Sequence, residues 1–181
     1  MNLRYGVLGG GSWGTAIVKM LSENNDVINW YVRSDENVSS IKENGKNPKY
    51  LRSINLKMSK INPSSSIIEV VNKSEVLILA IPSPFVDDEL KKIKHLISEK
   101  KIFSALKGVI PESHLIVSEH LNKFYKIPFS QIGIITGPCH AEEVALEKLS
   151  YLTVACKNKA IGTEMTNSLM SNYINVKFSK D

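Results

Sequence analysis

Short runs of apolar residues alternate along this chain with longer segments whose apolar positions recur every three or four residues. Tyr5, Val7 and Leu8 make the first run, and Ala16, Ile17, Val18, Met20 and Leu21 follow with helical spacing. Residues 27–32 predict a second strand, residues 35–44 a short polar helix closed by Gly45, and residues 47–53 a loop around Pro48. Residues 64–72 are ambiguous, and Ile67, Ile68, Val70 and Val71 favour a helix. The run VLILAI at 76–81 is continuously apolar, as in a strand covered on both faces. Pro82 ends it, and Pro84 suits the first turn of a helix over 85–97, where Val86, Leu90, Ile93 and Ile97 recur. A strand at 102–106 follows, then a helix at 112–124 with Leu115, Ile116, His120 and Leu121 turned inward, and a strand at 132–136. Residues 151–156, 159–170 and 175–178 read as strand, helix and strand. There is no internal repeat and no low-complexity segment.

Strands alternating with helices predict an α/β fold with a doubly wound, mostly parallel sheet and helices on both faces. Right-handed crossovers then line the strand C-termini along one edge, where such sheets bind their ligands. The segments 9–13, 33–35, 82–85, 107–108 and 137–141 follow strands and are expected to face one cleft.

The first of these segments carries the sharpest signal. Gly9, Gly11 and Gly14 have G-x-G-x-x-G spacing between a strand and a helix, the Rossmann-type dinucleotide arrangement. The first glycine permits a tight turn, the second lets backbone approach a pyrophosphate, and the third lets helix pack on strand. Free N–H groups at the helix start then face the phosphates. Glycines also mark ordinary turns, so the context of strand and helix is what gives the motif weight.

Composition narrows the picture without changing it. A chain of 181 residues with 43% hydrophobic content is an ordinary globular protein of one domain by default. The net charge of +5 is spread along the chain, and the lysine-rich stretch 91–101 reads as a solvated helix face rather than a nucleic-acid patch. Cys139 and Cys156 are too few for a disulfide framework and suggest a reducing compartment. No run is long and apolar enough to predict a membrane span. Met1 leads almost directly into a strand, which leaves no room for a signal peptide. Cytoplasmic localisation is the expectation.

Several side chains at strand ends read two ways. Arg33 follows the second strand, where this fold meets the adenosine ribose. An acid there favours NAD, whereas an arginine can pair with a 2′ phosphate and favours NADP. Asp35 and Glu36 follow closely, so either cofactor fits. Arg33 would hold the phosphate or stack on adenine, and Asp35 would be the helix N-cap or a first-turn acid. Ser12 can donate to a pyrophosphate. Trp13 packs beside the cofactor or is simply apolar helix-start filling. Lys107 is a surface lysine at a strand end or an anchor for a substrate anion or carbonyl oxygen. Gly137 and Pro138 force a turn before a helix that starts at Ala141. His140 is an acid or a structural histidine, and Cys139 is a nucleophile if a base is fixed beside it or simply a small-site thiol. No His, Cys, Asp or Glu cluster has metal-ligand spacing, so no metal is expected.

GGGSWGTA at 9–16, NWYVR at 29–33, NPKYL at 47–51, LKGV at 106–109 and TGPCHAEEVA at 136–145 occur in one order. Together they resemble the N-terminal domain of bacterial NAD(P)-dependent glycerol-3-phosphate dehydrogenases, over nearly the whole chain. The resemblance implies reversible hydride transfer between NAD(P)H and dihydroxyacetone phosphate, giving sn-glycerol 3-phosphate for glycerophospholipid synthesis. It implies that Gly9, Gly11, Ser12, Trp13, Gly14, Arg33, Tyr50, Lys107 and Ala141 hold the cofactor, NAD or NADP. Lys107, Gly137 and Cys139 would hold a small phosphorylated substrate. Cys139 departs from the family's usual serine, and a thiol donates weakly. The family continues into a helical domain that supplies the general-acid lysine, so residues 1–181 are expected to bind cofactor and barely turn over. No catalytic residue is expected within them. Neither a nucleic-acid nor a membrane partner is implied, and a homodimer is the state considered for the full-length protein. A nucleotide-sensing module without chemistry, or another reductase of the same architecture, are the competing readings.

Overall fold

The computed structural model describes residues 3–180. The expectation about a leader at Met1 falls outside them. The chain opens with strand β1 (Tyr5–Leu8), helix α1 (Ser12–Asn24), strand β2 (Ile28–Tyr31) and helix α2 (Asp35–Asn44). Strand β3 (Ile61–Ser64), helix α3 (Ile67–Asn72), strand β4 (Val76–Leu79), helix α4 (Ser83–Ile93) and strand β5 (Lys101–Ser104) come next. A small antiparallel hairpin, β6 (Val109–Ile110) and β7 (Leu115–Ile116), leads into helix α5 (Val117–Tyr125). The chain then runs through β8 (Ile132–Thr136), α6 (Ala141–Ala145), β9 (Ser150–Cys156), α7 (Lys159–Leu169) and β10 (Ile174–Ser179).

Eight strands form one sheet in the order β10-β9-β8-β5-β4-β1-β2-β3. Every pairing is parallel except β8 with β9. Alternate residues of the central strands feed separate cores on the two faces. Tyr5, Val7, Ile28, Trp30, Ile78 and Phe103 pack with residues of α1, α2, α6 and α7. Leu8, Tyr31, Leu77, Leu79, Ile102 and Ile132 pack with α3, α4 and α5. The doubly wound, mostly parallel sheet expected from the pattern is therefore present, and it explains why β4 reads as an unbroken apolar run.

Local readings shift in three places. β3 was not foreseen, because Pro63 within INPS argues against a strand. The sheet accommodates it because β3 is an edge strand, paired among the described residues with β2 alone. The helix expected from residue 64 starts at Ile67, capped by Ser66, whose hydroxyl accepts from Glu69 N at 3.2 Å. The helix expected over 112–124 starts at Val117. Residues before it turn through His114, at φ +55°, and pair as β7. Of the two readings of Asp35, the first-turn acid holds: Ser34 caps α2, accepting from Asn37 N at 3.2 Å.

One buried polar cluster ties α4 to α5. Asp87 Oδ1 accepts from His120 Nε2 at 2.8 Å and from the Tyr125 hydroxyl at 2.7 Å, while Oδ2 faces Lys91 Nζ at 2.9 Å. Burial alone would push the Asp87 carboxyl up. The bonds from Tyr125, Lys91 and His120 outweigh it and hold the group down at about 2. A folded-state value below the ordinary 3.8 stabilises the fold above that pH, and the gain is lost as pH falls toward 2. Tyr125→Phe is expected to cost about 1.5–3 kcal/mol at pH 7, as for a hydrogen bond to a charged group. Urea unfolding at pH 7 and pH 2.5 checks this, and the gap between the proteins should narrow at the lower pH.

Candidate active site

The turn between β1 and α1 is built so that its carbonyls face the protein. Gly9 O accepts from Trp30 Nε1 at 2.9 Å, and Trp30 is fully buried on β2. Gly10 O accepts from Asn47 Nδ2 at 3.0 Å. Gly11 O accepts from Thr15 N at 2.9 Å and Thr15 Oγ1 at 2.8 Å. Three successive acceptors are thereby committed. The N–H groups of the first helical turn have no helical carbonyl to reach. Gly11 is the N-cap of α1, no side chain caps that end, and no acid stands in its first turn. The partial positive charge of a helix of 13 residues is left unneutralised there.

The three glycines of the motif do different work. Gly9 stands at φ +136°, and a Cβ on it would lie 2.5 Å from Ala80 O. A Cβ on Gly14 would lie 2.1 Å from Gly9 O, so that glycine sets how closely α1 sits on β1. A Cβ on Gly11 would meet nothing within 4 Å. Gly11 alone borders open space, at the helix mouth. An anionic diphosphate fits this mouth, because donors face it and no side chain fills it.

Beside the mouth a cleft of about 450 Å³ runs along the C-terminal ends of the strands. Ser12 and Trp13 line it from the glycine turn, Pro82, Ser83 and Pro84 from the segment after β4, and Leu106 and Lys107 from the segment after β5. Gly137, Cys139, His140 and Ala141 line it from the segment after β8. Four of the five strand-end segments expected to share a cleft supply its walls. The fifth, at Arg33, lies on the β2 side and is not among the lining residues. Gly9, Gly11, Gly14 and Tyr50 are also outside the lining. Another cavity, of about 480 Å³ beside β3, is walled by residues such as Lys42, Glu69 and Lys73. It shares no residue with the strand-end loops.

Lys107 is exposed, and its side chain has no hydrogen-bond or ion-pair partner among the described residues. Gly108 after it turns the chain at φ +84°. The Cys139 thiol is occupied: it donates to Tyr151 O at 2.9 Å and accepts from Tyr151 N at 3.2 Å. This pins the turn after β8 to the start of β9. His140 is exposed at the N-cap of α6 and makes no capping bond.

Asn47 is the residue that sequence reasoning missed. Its Nδ2 also donates to Thr15 Oγ1 at 2.8 Å, and its Oδ1 accepts from Lys49 N at 3.0 Å and Tyr50 N at 3.2 Å. One buried amide thus locks the loop carrying Tyr50 onto the glycine turn. The motif NPKYL at 47–51 marked the loop, but nothing in it singled out the asparagine amide.

Residues 5–162 match the family model for the NAD-dependent glycerol-3-phosphate dehydrogenase N-terminus. The chain belongs to this family. A glycerol-3-phosphate dehydrogenase [NAD(P)+] of Pseudomonas syringae pv. syringae is 31% identical over 175 residues, covering 97% of this chain and 50% of that protein. One from Halothermothrix orenii is 32% identical over 182 residues, covering 100% of this chain and 52% of that protein. The chain thus spans about half the length of the curated relatives it matches. Solved structures agree on the fold. Glycerol-3-phosphate dehydrogenase from Coxiella burnetii superposes with a TM-score of 0.88 at 20% identity, over 99% of this chain and 55% of that one. A pyrroline-5-carboxylate reductase, also from Coxiella burnetii, reaches 0.72 at 13% identity, over 100% and 60%. Membership agrees with the expected cofactor, NAD or NADP. No helix among the described residues is long and apolar enough to cross a membrane.

The glycine geometry makes a paired prediction. Gly14→Ala should destabilise the fold by about 1–3 kcal/mol, since the Cβ collides with backbone. Gly11→Ala should cost less than about 1 kcal/mol as a poorer N-cap, yet weaken NADPH binding about tenfold or more by filling the mouth. Urea midpoints and fluorescence titrations of the two variants check both halves.

Proposed function

We propose that these residues form the cofactor-binding half of an NAD(P)-dependent glycerol-3-phosphate dehydrogenase, interconverting dihydroxyacetone phosphate and sn-glycerol 3-phosphate. The observation that carries the reading is the donor-lined helix mouth opening directly onto a cleft that holds a free lysine. In this reading the N–H groups around Gly11, Ser12 and Trp13 would hold the diphosphate, and Ser12 adds a hydroxyl. Arg33 and Tyr50 would stand at the adenosine end, while Trp13, Ala141 and Lys107 border the nicotinamide end. When bound, the nicotinamide supplies or accepts the hydride. Lys107 would place an ammonium against the substrate's anion or carbonyl oxygen, where a fixed positive charge stabilises negative charge in a partly dry cleft. Gly137 and Cys139 would offer the substrate backbone rather than the thiol, because Tyr151 already occupies the sulfur. Glycerophospholipid precursor supply, a cytoplasmic setting and a homodimer of the full-length protein belong to the same proposal, on the strength of the family alone.

The surroundings of Arg33 favour NADP. Asp35 accepts from the Ser65 hydroxyl, and the Ser34 hydroxyl is spent on capping α2. Arg33 makes no hydrogen bond or ion pair among the described residues, so its guanidinium is free for a 2′ phosphate. Fluorescence titrations with NADPH and NADH, repeated with Arg33→Ala, test this. Only NADPH affinity should fall, by about 1.5–3 kcal/mol for a charge-assisted contact. An equal loss for both would reassign Arg33 to adenine stacking, and failure of the unmodified chain to bind either nucleotide would sink the whole reading.

The chemistry needs a proton donor for the developing alkoxide, and Lys107 serves here as an anchor. Residues 1–181 alone are therefore expected to bind NADPH while oxidising it with dihydroxyacetone phosphate at a rate near background. Steady-state assays showing ordinary dehydrogenase turnover would overturn that assignment.

A further inference from the structure

Lys107 reaches the cleft from a segment with little support of its own. It precedes a hairpin of two strands of two residues each, which is marginal without outside contacts. On the hairpin, Val109 and Ile116 face each other and are 45% and 50% exposed, so packing does not fix that side. Ile110 is fully buried and anchors only the first strand. Backbone bonds to Ile110 O from Ser113 N at 3.3 Å and His114 N at 2.8 Å close the hairpin turn, and a polar side-chain contact ties that turn to α5. Ser113 Oγ lies 2.8 Å from His120 Nδ1, and His120 Nε2 lies 2.8 Å from Asp87 Oδ1.

A carboxylate only accepts, so His120 Nε2 donates to Asp87, and the other ring nitrogen, Nδ1, is bonded to the Ser113 hydroxyl. His120 is 3% exposed and Asp87 8%. Asp87 sits about one turn into α4, the helix whose first residues Ser83 and Pro84 line the cleft. The hairpin that follows Lys107 and the helix that follows Pro82 are thus joined through one imidazole, and both begin at the same cleft wall.

We propose that Ser113, His120 and Asp87 are positioning residues that fix the Lys107 segment against the cleft wall formed by the start of α4. The proposal rests on the reading of Lys107 given above, and it assigns the buried histidine a task beyond filling the core. It makes no use of nucleophilic chemistry at Ser113, whose hydroxyl also accepts from Leu115 N at 3.4 Å and does not line the strand-end cleft.

Ser113→Ala is the variant of choice, because Ser113 is only half-buried and its loss leaves Asp87 paired with His120, Tyr125 and Lys91. Amide hydrogen exchange of residues 107–113, measured without cofactor, should quicken about tenfold, while α1 stays unchanged. NADPH affinity should fall about three- to tenfold, with no further fall when Ser113→Ala is added to Lys107→Ala. Ser113→Thr, which keeps the hydroxyl, should restore both. Unchanged exchange, or losses that simply add in the double variant, would overturn the proposal. If Lys107→Ala alone binds NADPH normally, the placing of Lys107 at the nicotinamide end fails, and with it the functional half of this inference. The exchange rates tell that failure apart from a failure of the clamp, since they are read in the absence of nucleotide.

Discussion

The direction in which three peptide carbonyls point governs this molecule. Gly9, Gly10 and Gly11 each hand their oxygen to a different partner: a buried indole on the neighbouring strand, an amide from a distant loop, and the first turn of the helix they precede. Peptide planes are rigid, so committing the oxygens inward forces the hydrogens toward the open side. The anion-seeking character of the turn is then a property of the fold. No basic side chain is needed to create it.

The same arrangement links stability to recognition. Trp30 is a core residue of β2 and also the donor that orients Gly9. Asn47 joins the turn to the loop carrying Tyr50, so the two ends of the proposed nucleotide site are positioned by one side chain. On the opposite face of the sheet, Asp87, His120 and Tyr125 place an ionised group among apolar neighbours, where burial is costly unless every bond is made. That cost is offset by a specific geometry between α4 and α5. Both devices use buried polar groups to specify where backbone lies at the sheet's C-terminal edge.

Much of this was legible beforehand. Periodicity located seven of the eight sheet strands, since central parallel strands such as Val76–Leu79 must be apolar on both faces. The eighth, β3, escaped because Pro63 and Asn62 carry no apolar run, and an edge strand needs only one covered side. The helix expected from residue 112 was misplaced for a related reason. Leu115 and Ile116 suit a strand as well as a helix, and only the left-handed turn at His114 separates the cases. Ser34 went unconsidered as the cap of α2, because Asp35 beside it caps equally well. The contributions of Asn47 and His120 were illegible, because each depends on partners dozens of positions away. The strand-end residues Lys107, Gly137 and Ala141 could be placed at one cleft because topology alone dictates that edge.

The unequal duties of Gly9, Gly11 and Gly14 bear on how such spellings should be interpreted elsewhere. Two of the three positions are demanded by contacts inside the polypeptide, so a descendant that had abandoned its nucleotide would still be held to glycine there by folding alone. Only the middle position is released when the ligand is given up. Drift at that single site, with its companions intact, would be the fossil trace of a Rossmann module turned to other work.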